Sequence, residues 1–247
     1  MITSLNFYFE NHWLMLIAAF LTSVVSGTIG VAGGILLLTF MAPHFPATVL
    51  IPLHGMVQLA SNLARVTLNF NVIDRKIVRL FILGSLFGAA VGSRVVVRLP
   101  EGEYKLLLGI FILVMTWIPE FKKSPKVRGK FIYLGAATTF LSLVIGAVGP
   151  LIAPFFIREG LAKERLVVTK AACQATVHAL KVSVFIYLGF ELGTYFSLFV
   201  GMVLAVAIGN YLGKHLLGKI PEKLFIRVFK VVISVLAVQM VYRALIT

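Results

Sequence analysis

The sequence is poor in acidic residues and in cysteine. Only nine of its 247 residues are Asp or Glu, against 23 Lys or Arg, and Cys173 is the single cysteine. One thiol excludes an internal disulfide, a CxxC redox pair and a cysteine-rich zinc site. Hydrophobic residues make up 60% of the chain and the mean hydropathy is +1.00. A soluble domain of this size does not present such a composition to water, so we expect an integral membrane protein.

The net charge of +14 does not indicate nucleic acid as a partner. The basic residues fall mostly in short loops between apolar runs, a distribution that is typical of membrane topology. Because the runs leave no room for a separate soluble domain, we predict one transmembrane domain over residues 1–247, with the lipid bilayer as its surroundings.

Ten apolar runs divide the chain. A bilayer core roughly 30 Å thick needs about 20 apolar residues per crossing helix, and the second and seventh runs are too short to cross. Each short run follows a glycine-rich break, residues 27–34 in the first half and residues 146–150 in the second. The runs are residues 13–27, 33–42, 49–70, 77–97, 106–118, 131–146, 151–157, 166–188, 195–217 and 224–245.

The two halves carry the same landmarks in the same order, which indicates an internal repeat over about residues 12–119 and 130–245. The offset between matching landmarks stays between 116 and 121 residues. The matches are Gly27-x-x-Gly30 with Gly146-x-x-Gly149, Gln58-x-x-x-Asn62-x-x-Arg65 with Gln174-x-x-x-His178-x-x-Lys181, Gly84-x7-Gly92 with Gly201-x7-Gly209, and Pro100-Glu101-x-x-Tyr104 with Pro221-Glu222-x-x-Phe225.

Loop charges favour one topology over another. If each broken segment crosses once, giving eight spans, the two faces carry net charges of +5 and +3, which shows no bias. If each break is the tip of a helical hairpin followed by three full spans, one face carries +9 and the other −1. The second count obeys the positive-inside rule, with residues 120–130 in the cytoplasm and both termini outside it.

The predicted fold is therefore an all-α polytopic membrane protein with two inverted repeats. Each repeat is a re-entrant or broken helical hairpin followed by three transmembrane helices. The charge count does not decide whether the short segments re-enter or cross completely, since ten spans give the same count. Many secondary transporters are built from inverted repeats whose broken helices meet near the membrane midplane, where the substrate binds.

Arg65, Arg94, Lys170 and Lys181 are among the cations within the long predicted spans, and those spans contain no acidic residue. A charged side chain in the membrane interior costs about 2.5–3.5 kcal/mol on insertion scales. Arg94 and Lys170 stand near loop residues, which favours snorkelling to the surface. Arg65 and Lys181 lie deeper, so that either they also snorkel or an anion binds to them.

Polar residues share a helix face with each deep cation, because spacings of i, i+4 and i+7 align on one side of a helix. Such groups are suited to donating hydrogen bonds to a small oxyanion, although they also commonly join helix to helix in bundles. His54 and His178 could couple protons to transport, or serve only in packing. The two stripes are Gln58, Asn62 and Arg65, and Gln174, His178 and Lys181.

The glycine breaks are a second candidate anion-binding element. Unwound backbone between half-helices leaves N–H groups free and exposes positive helix ends. Glycine has no side chain to keep a ligand from that backbone. We predict that the breaks are non-helical, converge near the midplane and line one pocket with both stripes, through Gly30, Gly33, Gly34 and Gly149.

Several features of the sequence together resemble those of a known family. They are the glycine break, the short run after it, the stripe ending in Asn62 and Arg65, and the repetition of all three in the second half. On these features the sequence resembles the TauE/SafE family of sulfite and organosulfur anion exporters, over about residues 10–245. The resemblance implies a cytoplasmic-membrane transporter of anions such as sulfite, thiosulfate or sulfonates. The sequence departs from the family's pattern at both breaks: Gly149-Pro150-Leu151 replaces a longer glycine run, and residues 30–34 contain fewer glycines than usual. These departures affect the identity of the substrate more than the fold.

We therefore expect a secondary transporter or facilitator that exports sulfite or a related organosulfur anion across the cell membrane. An inside-negative potential contributes about 2.3 kcal/mol per charge per 100 mV toward anion exit, and no Walker A pattern is present. Without carboxylates in the spans, neither an enzyme nor a metal or other cofactor is expected. A non-transporting scaffold or assembly subunit and an intramembrane enzyme are the alternatives. The sequence leaves open whether the chain forms a homodimer.

Overall fold

The regular structure of the described residues is helical. The computed structural model describes residues 12–29, 33–68, 70–96, 100–117, 129–157, 159, 161–216 and 222–246. Short 3-10 helices over Phe70–Val72 and Leu192–Tyr195 join some of the α-helices. The α-helices are α1 (His12–Ile29), α2 (Gly33–Met41), α3 (Ala47–Leu68), α4 (Arg75–Val96), α5 (Glu101–Trp117), α6 (Lys130–Ile145), α7 (Gly149–Ile157), α8 (Lys163–Tyr187), α9 (Phe196–Leu216) and α10 (Glu222–Ile246).

Each of the ten apolar runs coincides with one of these helices, which confirms the all-α class. The two short runs are helices α2 and α7, of nine residues each. At 1.5 Å per residue such a helix is about 14 Å long, roughly half of a bilayer core. The expected short segments are therefore real helices that cannot cross a membrane alone.

The expectation that the glycine breaks are non-helical throughout is wrong. In the first break, residues 27–29 still belong to α1, and Gly33 and Gly34 already open α2. Residues 30–32, and with them Gly30, lie outside the described residues. In the second break, Gly149 opens α7 and only residues 146–148 are non-helical. Glycine is tolerated there because the first N–H groups of a helix have no partner within it in any case.

Helix pairing follows the duplicated sequence. The main partners are α4 with α6, α1 with α9, α3 with α8, and α5 with α10. The repeat relates helices α1 to α5 of the first half to helices α6 to α10 of the second, in that order. Exchanging the halves therefore turns the α4–α6 pair into the α9–α1 pair and leaves the α3–α8 and α5–α10 pairs unchanged. The helices at the centre of this arrangement are α3 and α8, which carry the two polar stripes.

Glycines bring two of these pairs into backbone contact. On α4, Gly84 and Gly88 lie against the backbone of Ile132 and Ala136 on α6, where a Cβ atom would collide. In the other pair, a Cβ on Gly209 of α9 would stand 2.5 Å from the carbonyl oxygen of Phe20 on α1. Small residues at such crossings let membrane helices approach closely.

One end of the bundle holds two ion pairs that cross between elements. The guanidinium of Arg165, in the first turn of α8, lies 2.9 Å from the carboxylate of Asp74, just before α4. The ammonium of Lys130, the first residue of α6, pairs with Glu159 beyond α7. The starts of α4, α6 and α8 and the residues after α7 therefore share one end.

The outer surface of the bundle is apolar. Large side chains such as Phe87, Leu204 and Val235 are more than half exposed. By length and composition alone, three helical stretches in the described residues could cross a membrane, namely Ala47–Thr67, Arg75–Val96 and Leu192–Gly213. An apolar exterior of this extent suits lipid and not water. The chain is an integral membrane protein.

Candidate functional site

Side chains from α3 and α8 hold the two glycine breaks. The ammonium of Lys181 on α8 donates a hydrogen bond of 2.7 Å to the carbonyl oxygen of Gly146, in the second break. Nε2 of His54 on α3 lies 2.9 Å from the carbonyl oxygen of Gly34, beside the first break. The rings of His54 and His178 meet edge to face with their centroids 6.1 Å apart. We call these five residues the central cluster.

The cations and imidazoles of the central cluster are removed from solvent. Lys181 is 0% exposed, His54 1% and His178 6%. Space for the Lys181 side chain exists because residue 55 is glycine, where a Cβ atom would stand 2.6 Å from Cε of Lys181. Leu38 of α2 packs on Gly146 from the other side, so the segment after the first break also contacts the second.

Among the described residues, no acidic side chain is placed to neutralise Lys181. Helices α2 and α3 and residues 146–148 contain no Asp or Glu, and Glu164, the one acid of α8, stands 17 residues before Lys181. That spacing is about 25 Å along a helix. The one described hydrogen bond of the buried Lys181 ammonium goes to a neutral carbonyl, so its charge is not balanced by an opposite charge there.

Several polar atoms near the cluster also lack partners among the described residues. Nδ1 of His54, Nδ1 of His178 and Oδ1 of Asn62 are buried and make no hydrogen bond there. Buried polar atoms in proteins are nearly always paired with protein or with a bound molecule. Together with the free donors of the Lys181 ammonium, these atoms provide both hydrogen-bond donors and acceptors for a polar ligand.

Most of the other predicted residues lie beside the cluster. The Gln58 amide rests against Gly34, where a Cβ atom would come within 3.4 Å of it. Asn62 donates a 2.8 Å hydrogen bond back to the backbone oxygen of Gln58. Gln174, one turn before His178 on α8, is half-buried. The predicted glycines Gly33, which is buried, and Gly149, which is half-buried, open the two short helices.

Arg65 is separated from Lys181. The residue of α3 that contacts Lys181 is Gly55, and Arg65 follows ten residues later, about 15 Å along the helix. Arg65 is half-buried and close enough to Lys170 of α8 for their charges to interact. Helices α3 and α8 therefore carry two positive sites, one at each side of their crossing. Arg94 is exposed near the end of α4, as snorkelling requires.

Sequence reasoning did not include His54, Gly55 or Gly146 in the anion site. One signal was available for His54, because it stands one turn before Gln58 and extends the same polar stripe. No local signal identifies Gly55, since its role depends on the long side chain of a helix more than 120 residues later in the sequence.

A cavity of about 550 Å³ opens at the end of the bundle opposite the ion pairs. It is lined by the start of α3, the end of α4, Tyr104 of α5 and the residues from Phe185 to Tyr195. Its wall includes Ile51 and Phe185, both buried. Ile51 stands one turn before His54, and Phe185 one turn after Lys181. Two buried apolar residues of the cavity wall thus stand one helical turn from residues of the central cluster.

Comparison with known proteins identifies a family over nearly the whole chain. A family model described as "Sulfite exporter TauE/SafE" matches residues 15–240. A search of curated proteins returned no match, and neither did a search of solved structures.

Proposed function

Because the chain belongs to the sulfite exporter TauE/SafE family, we propose that it is a secondary transporter that exports sulfite or a related organosulfur anion across the cytoplasmic membrane. The observation that carries the proposal is the burial of Lys181 against the Gly146 carbonyl, with no acid near it in the part of the chain that the structure describes. An anionic substrate supplies the missing charge each time the site is occupied.

The proposed binding site surrounds the Lys181 ammonium. Its oxyanion ligand accepts hydrogen bonds from Lys181, His178 and the Gln58 amide, and from backbone N–H groups at the breaks. Charge-assisted hydrogen bonds of this kind are about twice as strong as neutral ones. The remaining members proposed for the site are Asn62, Gln174, Gly30, Gly33, Gly34 and Gly149.

Arg65 has a different role in this proposal. With Lys170 it forms a second positive site nearer the end that holds the ion pairs. On the predicted topology that end faces the cytoplasm, so these cations attract the anion on its way in. On the opposite side, the anion leaves past Ile51 and Phe185 into the 550 Å³ cavity.

Contacts between elements support the topology with hairpins and inverted repeats. The eight-span arrangement would place Asp74 and Arg165 on opposite faces of the membrane, yet they form an ion pair. It would likewise separate Lys130 from Glu159, which also pair. The exchange of helix pairs between the halves is what a twofold relation between two repeats requires.

A panel of anions tests the proposed function. Purified protein is heated in sulfite, thiosulfate, sulfoacetate, sulfate and chloride, and flux of each anion from proteoliposomes is measured. A bound substrate at 100 times its dissociation constant stabilises the folded protein by about 2.7 kcal/mol. We expect sulfite or one of the organosulfur anions both to raise the melting temperature and to cross the membrane, and chloride to do neither. If none of the five has either effect, the proposal is wrong.

A further inference from the structure

The hydrogen bond of His54 fixes where its ring carries hydrogen. The carbonyl oxygen of Gly34 can only accept, so Nε2 of His54, 2.9 Å away, must donate. In the neutral imidazole the other nitrogen, Nδ1, then has a bare lone pair. That atom is buried and has no partner among the described residues. It is a vacant proton acceptor inside the central cluster.

Among the described residues, the groups that interact electrostatically with His54 lie on α8. His54 interacts electrostatically with Lys181, and His178 with both Lys181 and His54. Neither α2 nor α7 contains a titratable residue. Helices α5 and α9 also contact α3. Their titratable residues all lie within two turns of a helix end, and they are Glu101, Glu103, Tyr104, Lys105, Tyr211, Lys214 and His215.

We infer that the central cluster couples a proton to the anion: when an anion binds beside Lys181, His54 is protonated at Nδ1. This inference rests on the proposed function. The reaction forms one N–H bond at Nδ1 and breaks one O–H bond of a hydronium ion in the aqueous phase to which the site is open, which leaves a water molecule. The new Nδ1–H group donates to the bound anion, while Nε2–H stays on the Gly34 carbonyl.

The physical reason is charge balance in a site that excludes water. Because no acid of the described residues lies nearby, a second positive charge beside the Lys181 ammonium is strongly unfavourable before the anion binds. An anion removes that repulsion and adds attraction, so both charges become compatible. Because coupling between two ligands is reciprocal, protonation of His54 must strengthen anion binding by the same factor. The transporter then carries a proton together with each anion.

Calorimetry counts the linked protons. Sulfite is titrated into the detergent-solubilised protein in two buffers with different heats of ionisation, and the difference in heat gives protons taken up per bound anion. Sulfite also exchanges protons with the buffer, but this contribution is common to all variants. The difference in proton uptake between wild type and variant therefore reports on the protein. We expect the wild type to take up about one proton more than His54→Gln. His44→Gln, a matched change at a histidine bonded to Phe40 outside the cluster, should behave as the wild type.

Other outcomes would overturn the inference. Equal proton uptake in wild type and His54→Gln excludes His54, and loss of uptake in His178→Gln alone moves the proton site to the other ring. If His54→Gln does not fold, thiosulfate binding is measured for the wild type and His178→Gln, since thiosulfate stays fully ionised near neutral pH and any proton taken up belongs to the protein; uptake that persists in His178→Gln supports His54. Anion binding without proton uptake refutes the coupling and leaves transport standing. If the protein binds no anion, both the proton coupling and the proposed transport function are refuted.

Discussion

At the scale of single residues, Lys181 is the side chain on which the account depends. It is fully buried, it donates to one carbonyl, and it occupies space that glycine leaves at position 55. Truncating one member of a buried charged pair typically costs 2–5 kcal/mol. An interaction of about this size between Lys181 and the anion is enough to decide whether the site binds.

Substituting Gly55 tests the position of the Lys181 side chain without removing its charge. In Gly55→Ala the new Cβ displaces the flexible end of Lys181 from the Gly146 carbonyl. We expect sulfite flux to fall about tenfold or more, with a melting temperature within a few degrees of the wild type. Gly102→Ala, where a Cβ meets nothing within 4 Å, is the matched control. Equal flux in both variants would contradict the assigned position.

Sequence alone identified the deep cations but not their partners. Lys181 and Arg65 stand out because they lie in apolar spans without acids, a property of composition that is visible locally. Their separation into two sites was not visible, since it depends on the register between α3 and α8. In antiparallel neighbours, residues equivalent in the repeat lie toward opposite ends of the pair, so that Lys181 interacts electrostatically with His54, and Arg65 with Lys170.

At the scale of elements, the helices were the most predictable part of the molecule. In a bilayer every backbone polar group needs an internal partner, so an apolar run long enough to cross must be helical. The exact ends of the breaks were less predictable, because glycine fits both unwound backbone and the first turn of a helix. Gly33 and Gly34 lie in the first turn of a helix. Gly146 lies in unwound backbone with φ +95°, a left-handed conformation that favours glycine.

The glycine crossings predict a stability effect shared by both halves. In Gly84→Ala or Gly209→Ala, the added methyl group collides with backbone atoms of α6 or α1 that cannot move aside easily. We expect each change to destabilise the protein by about 1–3 kcal/mol, as overpacking does. Gly193→Ala, which faces open space, should leave the melting temperature unchanged. A neutral effect of both crossing variants would show that the helices are not in backbone contact.

At the scale of the whole molecule, the two ends of the bundle differ in charge, and we predict from this which end faces which compartment. The end with the ion pairs coincides with the face to which loop counting assigns +9, so we place it in the cytoplasm. On this prediction the cavity, which opens at the opposite end of the bundle, faces the outside.

Cysteine labelling in intact cells tests this orientation. Because native Cys173 is buried, its background reaction with a membrane-impermeant maleimide should be small. Glu103→Cys lies at the predicted outer end and should react in intact cells, whereas Glu164→Cys at the opposite end should react only after permeabilisation. The reverse pattern would invert the topology, and reaction of both in intact cells would refute the arrangement of the spans.

The central claim is that an anion crosses the membrane by pairing with Lys181. Sulfite efflux from proteoliposomes, measured beside the melting temperature, tests it for wild type, Lys181→Gln and the control Arg94→Gln, which changes an exposed cation. We expect at least about a 30-fold loss of flux in Lys181→Gln, equivalent to about 2 kcal/mol or more. Its melting temperature should be unchanged or higher, because an unpaired buried charge is removed. Wild-type flux in Lys181→Gln would contradict the claim.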